Sequence, residues 1–255
     1  MRFSTTSLAE LSTCGERYRQ RYVQQIRTAP NFNRILGRAV DATVTQDLQS
    51  KIETGELLKP NNVTEIARLQ VETIIRLDGI SLTEAEAAKG MNRVRTELTQ
   101  LAVQMSQLHH CYIAPRLVPT QVQRDFEIQI AGHTITGRID IQEGSRAIRD
   151  TKVSGRSPSS DEADRSLQLT IYAMACAQLD GRIPDRLYLD YLIHTTDPRV
   201  VKLETTRARH HFHAVEERVL AAVKAVESGV FLPANPDAWF CSERYCAYFA
   251  GCRYV

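Results

Sequence analysis

Hydrophobic positions in the first 113 residues recur at helical spacing. Apolar side chains three and four positions apart line one face of a helix, and this pattern predicts helices over residues 7–24, 34–53, 62–78 and 83–110. In the first of these, the spacing puts Leu11, Cys14, Tyr18 and Tyr22 on one face. We expect the apolar stripes to form a core.

After Pro115 the pattern changes to alternation, which is typical of strands. It predicts strands over residues 126–130, 134–141, 147–153, 187–193 and 200–203. Two further helices are expected over about 162–179 and 205–228. The pattern predicts a single α/β domain over residues 1–255. Its parts are a mainly helical part (1–113), a sheet with a crossover helix (114–204), and a helix with a C-terminal cysteine tail (205–255).

Composition and charge narrow the class of protein. The chain has 32 Lys and Arg against 30 Asp and Glu, a net charge of +2, so binding to nucleic acid must depend on local clusters rather than on overall charge. No apolar run approaches the roughly 18 residues of a membrane span, and the first residues lack the apolar segment of a secretory signal. We therefore expect a soluble cytoplasmic protein with no membrane partner.

Three of the six cysteines lie in the last 15 residues; the six are Cys14, Cys111, Cys176, Cys241, Cys246 and Cys252. In a reducing compartment, a metal site explains them better than disulfides. Cys14 is the expected fourth ligand, because Cys111 and Cys176 lie among apolar helical residues and are expected to be buried. Four thiolates suit zinc or an iron–sulfur cluster, and the one-plus-three division favours the cluster.

Two carboxylates and a lysine are predicted to meet on one face of the sheet. Asp150 and Lys152 are two positions apart on one strand and therefore share a face. The preceding strand carries Gly137 and Asp140. If Asp140 lies opposite Asp150, the turn between the strands must hold an odd number of residues, and the two Cβ atoms are then about 4.5–5.5 Å apart.

This set of residues suits metal-assisted hydrolysis of a phosphodiester. Carboxylate oxygens are preferred ligands of Mg²⁺ and Mn²⁺, which also accept phosphate oxygens. Lys152 would orient or deprotonate a water, or stabilise the transition state. Gln168 and Tyr172, one helical turn apart, are expected to face the same cleft. Each pair alone is common on solvated surfaces, whereas the ordered combination is specific.

The order Asp140, Asp150-Thr151-Lys152, Gln168-x3-Tyr172 resembles the PD-(D/E)XK nuclease superfamily, in its RecB-like branch. The segment from Cys14 to Tyr18 and the C-terminal cysteines resemble that branch's iron–sulfur members, which include CRISPR-associated RecB-like exonucleases, AddB-type nucleases and phage exonucleases. The resemblance covers residues 14–252. It implies a restriction-endonuclease-like core, a short mixed sheet with flanking helices, in a prokaryotic or phage-infected cell.

The resemblance also implies roles for these residues in metal-dependent DNA cleavage. The metal, Mg²⁺ or Mn²⁺, would be bound by Asp140, Asp150 and the backbone carbonyl of Thr151. The catalytic set would comprise Asp140, Asp150, Lys152, Gln168 and Tyr172. A [4Fe–4S] cluster held by Cys14, Cys241, Cys246 and Cys252 would fasten the two ends of the chain together.

One position departs from the family pattern. Family members usually have a metal-binding histidine in the early helix, after a glycine, and here Asp41 follows Gly37 at that place. Because an aspartate also binds Mg²⁺ or Mn²⁺, Asp41 is predicted as a further metal ligand. The alternative is a solvated helix carboxylate.

Further side chains are weaker candidates for contacts with DNA. The arginines predicted to line a path for the phosphate backbone are Arg17, Arg21, Arg38, Arg138 and Arg156. Four aromatic residues either stack on unpaired bases or, as the favoured interpretation, pack around the cluster: Tyr18, Tyr22, Tyr245 and Phe249. Solvated helix faces, rather than a second metal site, are expected for His109, His110, His210, His211 and His213.

The predicted function is that of a stand-alone Mg²⁺- or Mn²⁺-dependent deoxyribonuclease, an exonuclease that prefers single-stranded ends. One alternative is a catalytically inactive DNA-binding subunit of a recombination, repair or CRISPR adaptation complex. A second is a redox-responsive protein that uses the cluster as a sensor. No G-x-x-x-x-G-K-[ST] motif occurs, so a helicase, recombinase or CRISPR adaptation partner would be a separate protein.

Overall fold

A computed structural model describes residues 1–243 and 245–255. Its N-terminal half contains β1 (Arg2–Ser4), α1 (Thr5–Thr13), α2 (Gly15–Tyr18), a π-helical turn (Arg19–Val23), α3 (Phe32–Thr54), α4 (Pro60–Asp78), α5 (Glu84–Lys89) and α6 (Met91–Tyr112). Then follow a 3₁₀ turn (Ala114–Arg116), β2 (Gln121–Ile130), β3 (His133–Glu143), β4 (Ala147–Ser154), α7 (Leu167–Leu179), β5 (Arg186–Ile193), β6 (Arg199–Thr205), α8 (Arg209–Ser228) and a 3₁₀ turn (Phe249–Gly251).

The strands of the described chain form one mixed six-stranded sheet, so the predicted α/β fold is confirmed. One edge of β3 pairs along its length with β2. The other edge pairs with β1 near its start and with β4 near its end, and β5 and β6 follow beyond β4. Pairing is parallel between β1 and β3 and between β4 and β5, and antiparallel between the other neighbours.

Helices cover both faces of this sheet, each over its own core. Leu189 and Tyr191 of β5 pack in a core with α1, α7 and α8, whereas Leu192 packs in a core with α3, α4 and α6. This follows from alternation, which sends successive strand residues to opposite faces. Among the helices of residues 1–243 and 245–255, none has both the length and the apolar character to span a membrane.

The short strand β1 has no counterpart in the sequence-based prediction, and its position depends on Gly137. A Cβ atom at Gly137 would lie 2.5 Å from Phe126 Cζ and 2.6 Å from Thr5 Oγ1. Glycine therefore allows the start of α1, directly after β1, to cross closely over β3.

Four predicted helices have wrong boundaries; the helix over 205–228 begins only at Arg209, because β6 continues to Thr205, and the other three errors arise at caps. The helix over 7–24 breaks at Cys14, which is extended (φ −155°), and the helix over 83–110 breaks at Gly90 (φ +85°). The helix over 162–179 begins only at Leu167, after the capping residue Ser166. In these three cases a cap competes with helix continuation, and apolar periodicity does not register caps.

The end of α6 contradicts two further predictions. Cys111 is exposed rather than buried, whereas Cys176 is buried as predicted. His109 and His110 are both buried rather than solvated. The Nδ1 atom of His110 lies 2.9 Å from Asp47 Oδ2, so a partner on α3 compensates for its burial.

Candidate active site

The site lies where β3 and β4 separate, beside Asp140 and Asp150, and we call this point the fork. Their antiparallel pairing ends at Ile141 and Arg149, and the earlier residues of that edge of β3 pair with β1 instead. The next step of the same register sets Asp140 against Asp150. The predicted register, with the odd three-residue turn Gly144–Arg146, is confirmed.

An irregularity in the neighbouring strand accompanies this fork. Gln123 of β2 lies opposite Asp140 in register but is absent from the pairing, and its φ is +50°. At the same point β3 changes face, because Ile139 packs in one core and Ile141 in the other although they are only two residues apart. Distortions of this kind in a strand re-aim side chains and occur next to active sites.

This arrangement lets side chains from both helical layers reach the fork. Asp41 comes from α3 on one face of the sheet, and its Oδ1 accepts a hydrogen bond from Gln123 Nε2 at 3.1 Å. Gln168 and Tyr172 come from α7 on the other face. The sequence-based prediction missed Gln123, because only the paired register reveals that it lies opposite Asp140.

The lysine, glutamine and tyrosine form a connected chain. Lys152 Nζ lies 2.7 Å from Asp150 Oδ2 and donates to Gln168 Oε1 at 2.9 Å, and Gln168 Nε2 donates to Tyr172 Oη at 2.6 Å. The predicted neighbourhood of Gln168 and Tyr172 is thus present. Phe126 holds the Tyr172 ring in an edge-to-face contact at 5.9 Å.

Charges at the fork shift the pKa values of its ionisable groups. Burial, followed by the nearby charge of Asp150, raises the pKa of both Asp140 and Asp41. Burial would lower the pKa of Lys152, but the charges of Asp150, Asp140 and Asp41 outweigh it and raise the pKa above the ordinary value. The site therefore brings three carboxyl groups, Asp41, Asp140 and Asp150, close to a single ammonium group, that of Lys152.

The donor set fits a divalent cation. Asp150 is fully buried; Lys152 Nζ contacts its Oδ2 at 2.7 Å, whereas Oδ1 has no hydrogen-bond partner among the residues described. Buried carboxylate oxygens without donors are costly unless they bind a cation. In the described chain no three His, Cys, Asp or Glu side chains lie close enough to enclose a metal ion. Mg²⁺, however, commonly uses only one or two carboxylates together with water and substrate oxygens.

Thr151, the third predicted metal ligand, lies between Asp150 and Lys152 on β4 and pairs in register with Asp190 of β5. Its buried side-chain hydroxyl has no hydrogen-bond partner within the described residues. The role of its backbone carbonyl remains a prediction.

Four of the five predicted DNA-binding arginines pair with carboxylates. Arg17 and Arg21 both contact Glu10, at 2.8 and 3.0 Å. Arg38 Nη1 contacts Asp78 and Arg138 Nε contacts Asp125, each at 2.6 Å. Arg138 lies close to the fork, since the charges of Asp41 and Asp140 contribute to raising its pKa, after the hydrogen bond to Asp125. The fifth, Arg156, lies over the Trp239 ring, with Cζ 4.3 Å from the ring centroid.

The cysteine tail packs against the start of the chain. The Gly15 amide donates to Leu232 O at 2.7 Å, Tyr248 Oη donates to Ile26 O at 3.0 Å, and Arg253 Nε lies 3.0 Å from Glu16 Oε2. A side chain at position 15 would clash, because a Cβ atom there would lie 2.8 Å from the Leu232 backbone.

The predicted cluster ligands lie at this junction. Cys14 Sγ accepts a hydrogen bond from the Arg17 amide at 3.4 Å. Burial raises the pKa of the Cys246 thiol, and the charges of Cys14 and Cys241 raise it further. Cys14, Cys241 and Cys246 are therefore close enough to interact electrostatically, although in the described part of the chain no three Cys, His, Asp or Glu side chains form a group that could hold a metal ion.

Two of the four predicted aromatic residues pack against other rings at this junction, and their packing around a cluster stays a prediction. Tyr18 is buried and stacks on Phe231 at 6.0 Å, and Tyr22 packs on Tyr18 at 5.0 Å. Trp239, which the sequence-based prediction overlooked, is 58% exposed. The sequence did offer one sign of Trp239, because the single tryptophan of the chain lies directly before the C-terminal cysteines.

The chain is similar to known proteins in sequence and in fold. A model of the PD-(D/E)XK nuclease superfamily matches residues 2–253. A candidate exonuclease from Eubacterium rectale has a similar fold, with a TM-score of 0.54 and 12% identity over 92% of this chain and 84% of that protein. A second solved structure, SSO0001, aligns over 97% of this chain and 94% of its own at 13% identity, with a TM-score of 0.39. No curated protein matches.

Proposed function

Because the chain belongs to the PD-(D/E)XK nuclease superfamily, we propose that it is a divalent-metal-dependent deoxyribonuclease that degrades DNA from single-stranded ends. The observation that supports this most is the buried Asp150 carboxylate beside Asp140 at the β3–β4 fork, with the Lys152 ammonium 2.7 Å away. A catalytically inactive binding subunit would not need to keep these costly groups together.

The metal would be held by Asp140, Asp150 and the Thr151 carbonyl. Asp41 would become a further ligand when the bound cation draws the three carboxylates together, since among the described residues they do not enclose a metal ion. When bound, Mg²⁺ or Mn²⁺ supplies an acidified water and offsets charge on the phosphate. The protein contributes the rest. Lys152, held by Gln168, presents its ammonium where negative charge develops, and Tyr172 fixes the orientation of Gln168.

The single-stranded preference rests on the basic and aromatic groups near the fork. Arg138 is two residues before Asp140 on β3 and is exposed, so it can contact a phosphate next to the one that is cleaved. Arg17 and Arg21 line a cavity of about 380 Å³ at the N-terminal junction, together with Arg34. Arg17 and Arg21 both pair with Glu10, so a phosphate that follows this path would have to compete with that carboxylate for them.

We further propose that Cys14, Cys241, Cys246 and Cys252 hold a [4Fe–4S] cluster with a structural role. A four-iron cluster is larger than one metal ion, so its thiolate ligands lie further apart than those of zinc. The shared neighbourhood of Cys14, Cys241 and Cys246, and the contacts between the chain ends, support this assignment.

The nuclease proposal is tested with end-labelled single- and double-stranded DNA in Mn²⁺, Mg²⁺ or EDTA. Asp150→Asn should lower the rate at least about 1,000-fold, because one metal ligand and the ion pair with Lys152 are weakened. Asp185→Asn is the matched control, since Asp185 is exposed just before the start of β5 and its side chain pairs only with Arg182 among the described residues. Equal rates for wild type and a folded Asp150→Asn protein would refute the proposal.

A further inference from the structure

An exposed tryptophan lies next to the loop that leaves the catalytic strand. Trp239 is the only tryptophan of the chain and is 58% exposed. It packs edge-to-face with Tyr245 at 4.9 Å and with Phe240 at 5.8 Å. The aromatic neighbours brace the indole, although more than half of its surface remains open to solvent.

The Arg156 guanidinium lies over this ring, 4.3 Å from its centroid. Among the described residues, no carboxylate forms an ion pair with Arg156. A guanidinium is flat and stacks on an indole much as a nucleobase does. The free protein thus shows a stacked pair of a planar cation and an aromatic ring on its surface.

The position of this pair ties it to the site of cleavage. Arg156 follows Lys152 by four residues, which is at most about 14 Å of extended chain. The loop is fixed at its start, because the Ser154 hydroxyl accepts from the Arg156 amide at 3.1 Å and donates to the Arg156 carbonyl at 2.8 Å. Trp239 is therefore held within a few nucleotides of the phosphate that the fork would bind.

A second arginine, which is paired with Glu10, lies against this aromatic group on the side of the chain's N-terminal segment. Arg17 lies over Phe240, with Cζ 5.7 Å from the ring centroid. Alternating arginines and aromatic rings are the combination that binds single strands, since the rings stack on unpaired bases and the cations contact the phosphates between them. Duplex DNA hides both faces of its bases and gains nothing from such a ring.

We propose that Trp239 is a stacking platform for an unpaired base of single-stranded DNA close to the scissile phosphate. The Arg156 guanidinium occupies the place of the base in the free protein. When a base stacks on the indole, Arg156 is released to pair with the adjacent phosphate. This inference rests on the proposed function for its substrate, and it names the residue that gives the single-strand preference.

Binding is measured without cleavage, with Ca²⁺ in place of Mn²⁺, by anisotropy of labelled single-stranded and duplex oligonucleotides. Trp239→Ala should weaken single-strand binding about 5- to 100-fold and leave duplex binding unchanged, whereas Trp239→Phe should lose less. Tyr112→Ala is the matched control, because Tyr112 is also 58% exposed but lies at the end of α6. Since Trp239 is the sole tryptophan, its fluorescence should change with single-stranded DNA only.

An abasic scan separates stacking from a structural role. One abasic position should weaken binding by wild type as much as Trp239→Ala does, and should cost the variant nothing further. Equal losses for single-stranded and duplex DNA, or abasic effects that simply add to those of the variant, would overturn the platform. Failure of the nuclease proposal would be seen separately, as a wild type that binds single strands but does not cleave them in Mn²⁺.

Discussion

At the scale of single residues, the site depends on how Lys152 is aimed. Its ammonium has two contacts, Asp150 at 2.7 Å and the Gln168 amide oxygen at 2.9 Å. Gln168 is in turn oriented by Tyr172, whose hydroxyl stays protonated because burial raises its pKa. We therefore expect Gln168 to position the lysine rather than to take part in bond breaking.

Gln168→Ala should lower kcat about 10- to 100-fold with little change in KM, because Lys152 loses its second contact and rotates more freely. Gln168→Glu keeps an acceptor for the ammonium and should recover part of the rate. Gln178→Ala on the same helix is the control, since Gln178 is exposed and bonds only to Gln129 among the described residues. A rise in KM at constant kcat would instead assign Gln168 to DNA binding.

The separate site residues could be predicted from sequence to very different extents. Asp140, Asp150 and Lys152 follow from strand alternation and an odd turn, which are local rules. Gln123 does not, because its positive φ and its contact with Asp41 arise from pairing between distant segments. Trp239 is equally hidden, since its partner Arg156 is 83 positions away in a sequence that gives no pattern linking them.

At the scale of elements, the last turn of α6 shows why helix periodicity mispredicts polar residues. His109 is fully buried, and neither ring nitrogen has a hydrogen-bond partner among the residues described. Burial, followed by the charges of His110 and Arg149, lowers its pKa from 6.5 to about 3. His109 is buried because α6 packs against the sheet, and the hydrophobic pattern of α6 alone does not predict that burial.

The shifted pKa of His109 predicts a pH-dependent stability. The unfolded chain protonates this residue below pH 6.5, whereas the folded chain does not until the pH approaches 3. Its contribution is therefore complete above pH 6.5 and declines as the pH falls, by about 2 kcal/mol between pH 7 and pH 5. Denaturant titrations of wild type and His109→Leu should differ by this slope. Ser106→Ala, which changes a buried side chain of the same helix without removing a titratable group, should keep the wild-type slope. A His109→Leu protein with the wild-type slope would contradict the assignment.

At the scale of the whole molecule, the fork and the C-terminal cysteine tail have separate proposed roles. The fork is formed by β3 and β4, with Asp41 from α3 and Gln168 from α7. The tail carries Trp239 between the buried Phe231 and the cysteines, and docks on the segment that contains Cys14. The cluster would thus set the position of the DNA-binding surface and leave the chemistry to the sheet.

This division of roles predicts that loss of the cluster weakens binding more than hydrolysis. Cys246→Ser should lose iron and sulfide, lower the free energy of unfolding, and reduce single-strand affinity as far as Trp239→Ala does. Hydrolysis of a small phosphodiester should stay within about threefold of wild type, because such a substrate needs only the fork. Cys111→Ser is the control, since Cys111 is an exposed thiol on α6. If Cys246→Ser kept its iron, or if Cys111→Ser lost as much, the ligand set would be wrong. If iron were lost while single-strand affinity stayed at the wild-type level, the cluster would not hold the platform in place.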